Sequence, residues 1–213
     1  MTSTTLFSAH KITKSFEGRA LFDEIDLAIR FGEKIAITGR SGSGKTTLLN
    51  ILGLLETADS GSLFYKDGPI TTDLAFLRNQ KIGFIFQFHY LNGELTVFEN
   101  LELPRLIQRQ ILSEEEALSL LKTVQLESKI HTKAKYLSGG EKQRIAFIRA
   151  LINNPDIILA DEPTGQLDSE QAQCLMELLL NLPQAVVLVT HDKEFASRLS
   201  QRYELINQRL IPW

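Results

Sequence analysis

The sequence contains little cysteine, little excess charge and no long apolar run. Its single cysteine, Cys174, cannot form an internal disulfide, which is typical of proteins from a reducing compartment. Cys174 lies in an apolar helical pattern over residues 171–182, so we expect a buried structural thiol. No apolar stretch approaches the ~18–20 residues that span a bilayer, and residues 1–5 carry no secretory signal. We therefore expect a cytosolic chain that meets membranes only through partners.

The charge balance argues against one class of partner. The chain has 26 acidic and 23 basic residues, and its net charge of −3 gives no overall attraction to nucleic acid. Its 213 residues, of which 43% are hydrophobic, are enough for one sizeable core. The sequence shows no internal repeat, no low-complexity tract and no linker rich in Pro, Gly or Ser. A single domain over residues 1–213 is therefore expected.

The most informative stretch that is present is the glycine-rich segment 39–46, GRSGSGKT. It follows an apolar strand predicted at residues 35–37 and leads into a helix expected from Thr46 to about Leu55. Glycines let successive backbone N–H groups face one anion, the helix N-terminus adds positive potential, and Lys45 adds a full charge. The pattern G-x-x-x-x-G-K-T predicts a phosphate-binding loop with Thr46 placed to bind Mg²⁺. The alternative is a plain glycine-rich turn.

Apolar alternation predicts an α/β arrangement along the chain. Segments 6–16 and 25–29 are predicted strands that pair antiparallel across a turn at residues 17–19, and segments 61–65 and 82–87 are further strands, with a turn at residues 66–69. Short, fully apolar segments at 157–160 and 185–189 are each followed by a helix, one over residues 169–181 and one capped by Asp192. Such strands indicate a parallel sheet that is covered on both faces.

A predominantly helical insertion is predicted over residues 96–130. Apolar residues precede Pro104, and Ser113 with Glu116 predicts a capping box at the start of the next apolar helical pattern.

Two carboxylates, Asp161 and Glu162, end a predicted buried strand. Because the carboxyl ends of parallel strands face one crevice, we expect both to lie beside the phosphate-binding loop. Asp161 is suited to hold the Mg²⁺ shell, and Glu162 is suited to orient or deprotonate the water that attacks a γ-phosphate. The alternative is that the pair merely starts a helix or a solvated turn.

A second anion site is predicted in segment 137–144, LSGGEKQR. Ser138 with Glu141 predicts a capping box, and Gly139 with Gly140 leaves the first amides of the helix uncovered. One nucleotide has no obvious use for two such helix ends unless the second is offered to another molecule.

Segment 138–143 resembles the signature of the ATP-binding cassette (ABC) ATPases, and the resemblance covers essentially the whole chain. It implies a P-loop NTPase fold of the α/β class, with a mainly parallel sheet, an antiparallel β subdomain and a helical subdomain at roughly residues 88–152. It also implies a homodimer that sandwiches two ATP molecules. Each nucleotide would lie between the phosphate-binding loop of one copy and the signature of the other.

The resemblance also implies roles for four further residues. Phe16 matches an aromatic that stacks on adenine, where Tyr is more usual, and the alternative is a core role. Gln87 matches a strand-end glutamine that contacts Mg²⁺ and the attacking water. Asp168 matches an aspartate at the dimer seam, and it is also suited to cap the next helix. His191 matches a histidine that touches the γ-phosphate, and the alternative is a solvated polar residue.

The expected site therefore has three overlapping sets of residues. The catalytic residues are Glu162, His191 and Gln87, and the Mg²⁺ ligands are Thr46, Gln87 and Asp161. The ATP-binding residues are Phe16, Gly39, Arg40, Ser41, Gly42, Ser43, Gly44, Lys45, Thr46, Thr47, Ser138, Gly139, Gly140 and Asp168.

Segments 86–91, FQFHYL, and 95–100, LTVFEN, resemble the ATPases of lipoprotein-releasing systems, the LolD family, which is close to the MacB and FtsE types. The resemblance implies a peripheral subunit on the cytoplasmic face of a Gram-negative inner membrane. With two integral membrane permease subunits, similar to LolC and LolE, it would power release of lipoproteins to a periplasmic carrier. Gln166, where this group commonly has Asn, and residues 92–94 depart from the pattern. The alternatives are a MacB-like exporter of another cargo and an FtsE-like ATPase that signals and transports nothing.

The aromatic loop, defined as Phe86, Phe88, His89 and Tyr90, is expected to dock the membrane subunits. The alternative is a loop that packs only on itself.

Overall fold

The structure, a computed structural model, describes residues 5–66 and 68–213. Asp67, in the turn predicted at residues 66–69, lies outside the described residues, as do residues 1–4. The strands are β1 (Thr5–Phe16), β2 (Arg19–Arg30), β3 (Lys34–Thr38), β4 (Ser60–Tyr65), β5 (Gly68–Pro69), β6 (Ile82–Ile85), β7 (Ile157–Asp161), β8 (Ala185–Val189), β9 (Gln201–Ile206) and β10 (Arg209–Pro212). The helices are α1 (Lys45–Leu52), α2 (Leu74–Lys81), α3 (Val97–Leu106), α4 (Glu114–Lys122), α5 (Gly139–Leu151), α6 (Ser169–Leu180) and α7 (Lys193–Ser197).

The smaller of the two sheets is antiparallel, with strand order β2-β1-β4-β5. The predicted pairing of the first two strands is confirmed, since β1 pairs antiparallel with β2. On the opposite side β1 pairs with β4, so these strands form a sheet of their own. Alternate residues of β2, namely Ile25, Leu27 and Ile29, are buried against the core, which explains the apolar alternation seen in the sequence.

The larger sheet has strand order β10-β9-β3-β8-β7-β6, and its pairs are parallel except for β10 with β9. Alternate residues of β7 enter different parts of the core: Ile158 and Ala160 pack with the helical side, whereas Ile157 and Leu159 pack with α1 and the antiparallel sheet. The sheet is thus covered on both faces, as predicted, and this burial is the reason that its strands are uniformly apolar.

The predicted helical insertion over residues 96–130 contains two helices, α3 and α4, and the second begins after Ser113 as predicted. Residues 107–113 lie between α3 and α4. Ser113 caps α4, because its hydroxyl accepts a hydrogen bond from the Glu116 N–H at 3.1 Å. The Glu116 carboxylate instead meets Arg105 at 2.6 Å, so only half of the predicted capping box forms.

Cys174 is exposed, which corrects the expectation of a buried thiol. Helix α6 buries Ala172, Leu175, Met176 and Leu179, which recur at intervals of three and four residues. Cys174 lies off that stripe, and its apolar neighbours in the sequence hid the periodicity. The longest helix in the described part of the chain, α5, has 13 residues, and none is long and apolar enough to cross a membrane.

Candidate nucleotide site

The glycine-rich loop joins the end of β3 to the start of α1. Helix α1 begins on Gly44, whose φ of 99° lies in the left-handed region, and no side chain caps it. Gly39 has a φ of 146°, and a Cβ there would lie 2.7 Å from the Leu205 carbonyl oxygen. Because a side chain at either glycine would be strained, the loop can curl this tightly only with glycine at these positions.

The side chain of Lys45 is folded into this loop. Its ammonium donates to the carbonyl oxygens of Gly39 and Arg40, both at 3.0 Å. An ammonium has three N–H donors, so one remains for a ligand. The first N–H groups of α1 also lack intrahelical partners, and the first turn contains no acidic residue that would oppose an anion. Ser43 Oγ is buried and has no hydrogen-bond partner among residues 5–66 and 68–213. These groups fit a phosphate.

A cleft of about 450 Å³ opens beside the loop. It brings together most of the residues expected around the triphosphate. They are Phe16, Ser41, Gly42, Gly44, Lys45, Thr46, Thr47, Gln87, Asp161, Glu162 and His191. Leu21 and Val189 line the same cleft, although the sequence did not single them out. Phe16, 48% exposed, faces this cleft and does not have the alternative core role.

The carboxylate of Asp161 contacts the start of α1. In the register of the sheet, Asp161 is opposite Val189, which is opposite Ile37, so the ends of β7, β8 and β3 are level. Thr46 Oγ1 donates to Asp161 Oδ2 at 2.8 Å. Burial raises the pKa of Asp161, and the nearby Glu162 charge raises it further, while the Thr46 hydrogen bond and the Lys45 charge oppose the rise.

Asp161 and Thr46 fit the binding of Mg²⁺ together with phosphate. Asp161 Oδ1 is buried and finds no hydrogen-bond partner in the part of the chain that the structure describes. The same part contains no group of three or more His, Cys, Asp or Glu residues that could hold a metal alone. Mg²⁺ is commonly held by one or two protein oxygens plus substrate phosphates and water, which agrees with this donor set. Gln87, the third expected ligand, lines the same cleft.

The carboxylate of Glu162 is held by two residues that follow β8. Its Oε2 accepts a hydrogen bond from Thr190 Oγ1 at 3.2 Å and lies 2.9 Å from His191 Nδ1. Sequence reasoning missed Thr190, although a hydroxyl directly before His191 at the end of a buried strand was an available clue. His191 is 77% exposed at its side chain, yet it contacts Glu162 and is not merely solvated.

The predicted signature residues lie outside this cleft. Ser138 and Glu141 form both halves of the predicted capping box at the start of α5, and the bond from the Ser138 N–H is the main reason that the pKa of Glu141 is lowered. A Cβ at Gly139 would meet nothing within 4 Å, whereas one at Gly140 would clash with the side chain of Gln171. Only Gly139 of the pair therefore lies open.

Two hydrogen bonds connect α5, the helix that begins at the signature, to residues next to the cleft. The buried amide of Gln143 donates to the carbonyl oxygens of Phe86 at 3.0 Å and Pro163 at 2.9 Å, next to Gln87 and Glu162 in the chain. Asp168 caps α6 by accepting from the Gln171 N–H at 2.8 Å, as the sequence suggested. The one chain thus does not bring Ser138, Gly139, Gly140 or Asp168 to its own phosphate-binding loop.

The fold and this cleft define a P-loop nucleotide-binding protein, with an ATPase-type pair of carboxylates at the carboxyl edge of its parallel sheet. A family model described as "ABC transporter" matches residues 22–165. The chain belongs to this family of ABC ATPases, and the predicted fold class and ATP-hydrolysing activity are confirmed.

Curated relatives match the chain over nearly its full length. The lipoprotein-releasing system ATP-binding protein LolD of Idiomarina loihiensis is 40% identical, covering 97% of this chain and 96% of the relative. The proteins of the same name from Protochlamydia amoebophila and Treponema denticola are 43% and 44% identical, covering 96% and 93% of this chain and 96% and 94% of the relatives.

Solved structures show the same architecture. A dimeric post-hydrolysis state of the ATP-binding cassette MJ0796, bound to ADP and Pi, is 37% identical with a TM-score of 0.86. A second dimeric structure of MJ0796, described as a bacterial ABC transporter cassette, is 38% identical with a TM-score of 0.87. Both cover 96% of each chain.

Proposed function

We propose that this chain is the ATP-hydrolysing subunit of an inner-membrane transporter that releases outer-membrane-directed lipoproteins to a periplasmic carrier. The observation that carries this proposal is 40–44% identity with proteins named LolD over 93–97% of the chain. The cleft accounts for ATP cleavage, and the names of the relatives indicate lipoproteins as the cargo.

The residues of the cleft would divide the work of hydrolysis. The loop amides and Lys45 would bind the phosphates, and Asp161, Thr46 and Gln87 would hold Mg²⁺, which when bound neutralises charge on the phosphate oxygens. Glu162 would orient or deprotonate the attacking water. Its contacts with Thr190 and His191 fix the carboxylate in the cleft, where a γ-phosphate bound by the loop would lie.

A second copy of the chain would complete each site. Ser138 and Gly139 are exposed and do not line the cleft of their own chain, and both solved MJ0796 structures are dimers. In a head-to-tail pair, the open start of α5 would face the triphosphate of the other copy. Each chain would then act as a single ATP-binding domain over residues 1–213, with roughly residues 88–152 as its helical subdomain.

The membrane partners would dock on a groove between β6 and α3. This groove has a volume of about 420 Å³ and an apolar floor that includes Leu55, Phe84, Phe86, Leu103 and Ile107. A cytoplasmic segment of two permease subunits, similar to LolC and LolE, is the proposed occupant. It would hold the chain at the cytoplasmic face of the inner membrane.

The aromatic loop borders this groove and is both packed and exposed. Phe86 stacks on Phe84 at 5.5 Å and meets Tyr90 edge-on at 5.4 Å, while Arg149 donates to the carbonyl oxygens of His89 and Tyr90 at 2.8 and 2.7 Å. Phe88 and Tyr90 nevertheless remain 55% and 65% exposed. A fixed loop that presents two aromatic side chains suits a partner surface.

Reconstitution tests the proposed cargo. The chain would be assembled in proteoliposomes with candidate permeases, a lipoprotein and a periplasmic carrier, and ATP-dependent transfer of the lipoprotein to the carrier would be measured. Transfer is expected with the native chain and not with Glu162→Gln. ATP turnover without transfer would contradict lipoprotein release and favour an exporter of other cargo or a signalling ATPase.

Docking has its own test in the same preparation. Replacing Phe88 and Tyr90 with Ala is expected to weaken co-purification with the permeases while nucleotide binding by the isolated chain is retained. Replacing Tyr136, a similarly exposed tyrosine that belongs neither to the aromatic loop nor to the groove lining, serves as the matched control. Unchanged assembly of the Phe88 and Tyr90 variant would contradict this docking surface.

A further inference from the structure

Phe16 lies at the edge of the nucleotide cleft, and the ammonium of a lysine lies over its ring. Phe16 is the last residue of β1 and lines the cleft. The ammonium of Lys14 lies 5.1 Å from the centroid of the Phe16 ring. That distance is within the range of a cation–π interaction, in which the positive charge is attracted to the ring face.

Lys14 is immobilised by the turn that follows α1. Its ammonium lies 2.8 Å from Glu56 Oε1 and 3.6 Å from Asp59 Oδ1, and it donates to the Thr57 carbonyl oxygen at 2.7 Å. Its side chain is only 11% exposed. The hydrogen bond to Glu56 is the main cause of a raised pKa for Lys14, so the side chain is cationic throughout the neutral range.

The backbone beside Phe16 is fixed by the same turn. Ser15 donates to Asp59 Oδ2 from its N–H at 2.7 Å and from its hydroxyl at 2.6 Å. The Asp59 N–H in turn donates to the Thr13 carbonyl oxygen at 2.9 Å. Because residues 56–59 follow the helix that carries the phosphate-binding loop, the turn links the position of Phe16 to the position of that loop.

Lys11, on the same strand, shows what an ordinary surface lysine does in this sheet. Its ammonium pairs with Glu24 at 3.3 Å, and its side chain is 69% exposed. Lys14 differs because three acceptors and an aromatic ring surround it.

We propose that Lys14 is a positioning residue for the nucleobase. With Glu56 and Asp59 it orients Phe16, so that one ring face rests against the ammonium and the other is presented to the purine of a bound nucleotide. The proposal rests on the nucleotide site proposed above. It assigns base recognition to a cluster outside the phosphate-binding loop, and it explains how a phenylalanine, which has no polar group of its own, keeps a defined orientation at an exposed rim.

The test separates the base from the phosphates. Binding of ADP and of inorganic pyrophosphate to the full chain would be measured by isothermal titration calorimetry for the native protein, Lys14→Met and the control Lys11→Met. Lys14→Met is expected to weaken ADP binding roughly three- to tenfold and to leave pyrophosphate binding unchanged. Lys11→Met is expected to change neither. Equal weakening of ADP and pyrophosphate by Lys14→Met would overturn the proposal.

Two further variants guard against a general loss of structure. Lys14→Arg keeps a cation that also packs on aromatic faces, so this variant is expected to retain most of the native affinity for ADP. In a Phe16→Ala background, Lys14→Met is expected to have no additional effect on ADP binding, and a full additional effect would overturn the proposal. Pyrophosphate affinity reports the phosphate site, whereas the difference between ADP and pyrophosphate reports Lys14, so the two proposals fail in distinguishable ways.

Discussion

Helices α1 and α5 both begin at glycine-rich segments, but their first turns are satisfied in opposite ways. Helix α1 starts on the left-handed Gly44, with no side-chain cap and no acidic residue in its first turn. Helix α5 starts on Ser138, whose capping box with Glu141 satisfies two backbone N–H groups and places a carboxylate there. The bare N-terminus is preorganised for phosphate within one chain, whereas the capped one is stable alone and offers only its open face to a ligand.

This difference explains why a single chain supplies only part of the expected ATP site. Lys45, Asp161 and Glu162 line the same cleft as the start of α1. Gln143 of α5 donates hydrogen bonds to backbone carbonyl oxygens next to that cleft, but Gly139, the open glycine of α5, does not line it. Binding of nucleotide should therefore depend on α1 in the isolated chain, and cleavage should depend on α5 of a second copy.

Glu162→Gln is expected to have the largest effect on turnover. The amide cannot accept a proton from water, so hydrolysis should fall roughly 10²–10⁴-fold while ATP affinity is retained. The variant should also accumulate as a dimer in ATP, which size-exclusion chromatography with light scattering would show. Turnover near the native rate would contradict the role of Glu162.

Lys45→Ala is expected to act on binding itself. Removing the loop cation should weaken ATP and ADP binding roughly 100-fold or more in the isolated chain, as measured by calorimetry. Lys142, a lysine of α5, is the matched control, since its replacement by Ala should leave nucleotide binding by the isolated chain unchanged. Equal effects at both positions would remove the distinction between the two helices.

Gly44→Ala and Gly139→Ala compare the two helix starts directly. A Cβ at Gly44 is strained by the φ of 99° and lies 3.1 Å from the Phe22 ring, so this variant should lose both stability and nucleotide binding. A Cβ at Gly139 meets nothing, so that variant should melt and bind ATP as the native chain does. Its turnover in the assembled complex should fall, by roughly tenfold, because the methyl group would face the other copy's phosphates. Native turnover with Gly139→Ala would contradict the proposed placement of this helix start at the other copy's phosphates.

Ser138→Ala should have the smallest effect. Losing the cap bond to the Glu141 N–H, 3.2 Å long, should cost about 1 kcal/mol of unfolding free energy, as chemical denaturation would show. Turnover of the complex should fall more than ADP binding by the isolated chain does. A matched loss of both would indicate that Ser138 acts only on stability.

The sequence predicts those features that depend on neighbouring residues. Three local patterns each correspond to an element of the structure. They are the G-x-x-x-x-G-K-T spacing before α1, the capping box of Ser138 and Glu141, and the apolar runs of β7 and β8. The exposure of Cys174 escaped prediction because its apolar neighbours in the sequence were taken as evidence of a buried position.

Contacts between distant segments could not be read from the sequence. Gln171 fills the space beside Gly140 from another helix, and Gln143 donates to the carbonyl oxygens of Phe86 and Pro163 from a different part of the chain. The cation behind Phe16 likewise depends on a turn about 40 residues away in the chain. Such pairs follow from the way the sheet and helices pack, which no short motif encodes.

The most direct test of the composite site is ATP turnover per chain across a dilution series in saturating Mg-ATP. Turnover per chain should fall as dilution separates the copies, and light scattering on the same samples should show the fall to coincide with the loss of dimer. A monomeric preparation that turns over ATP as fast as the assembled complex would contradict the account.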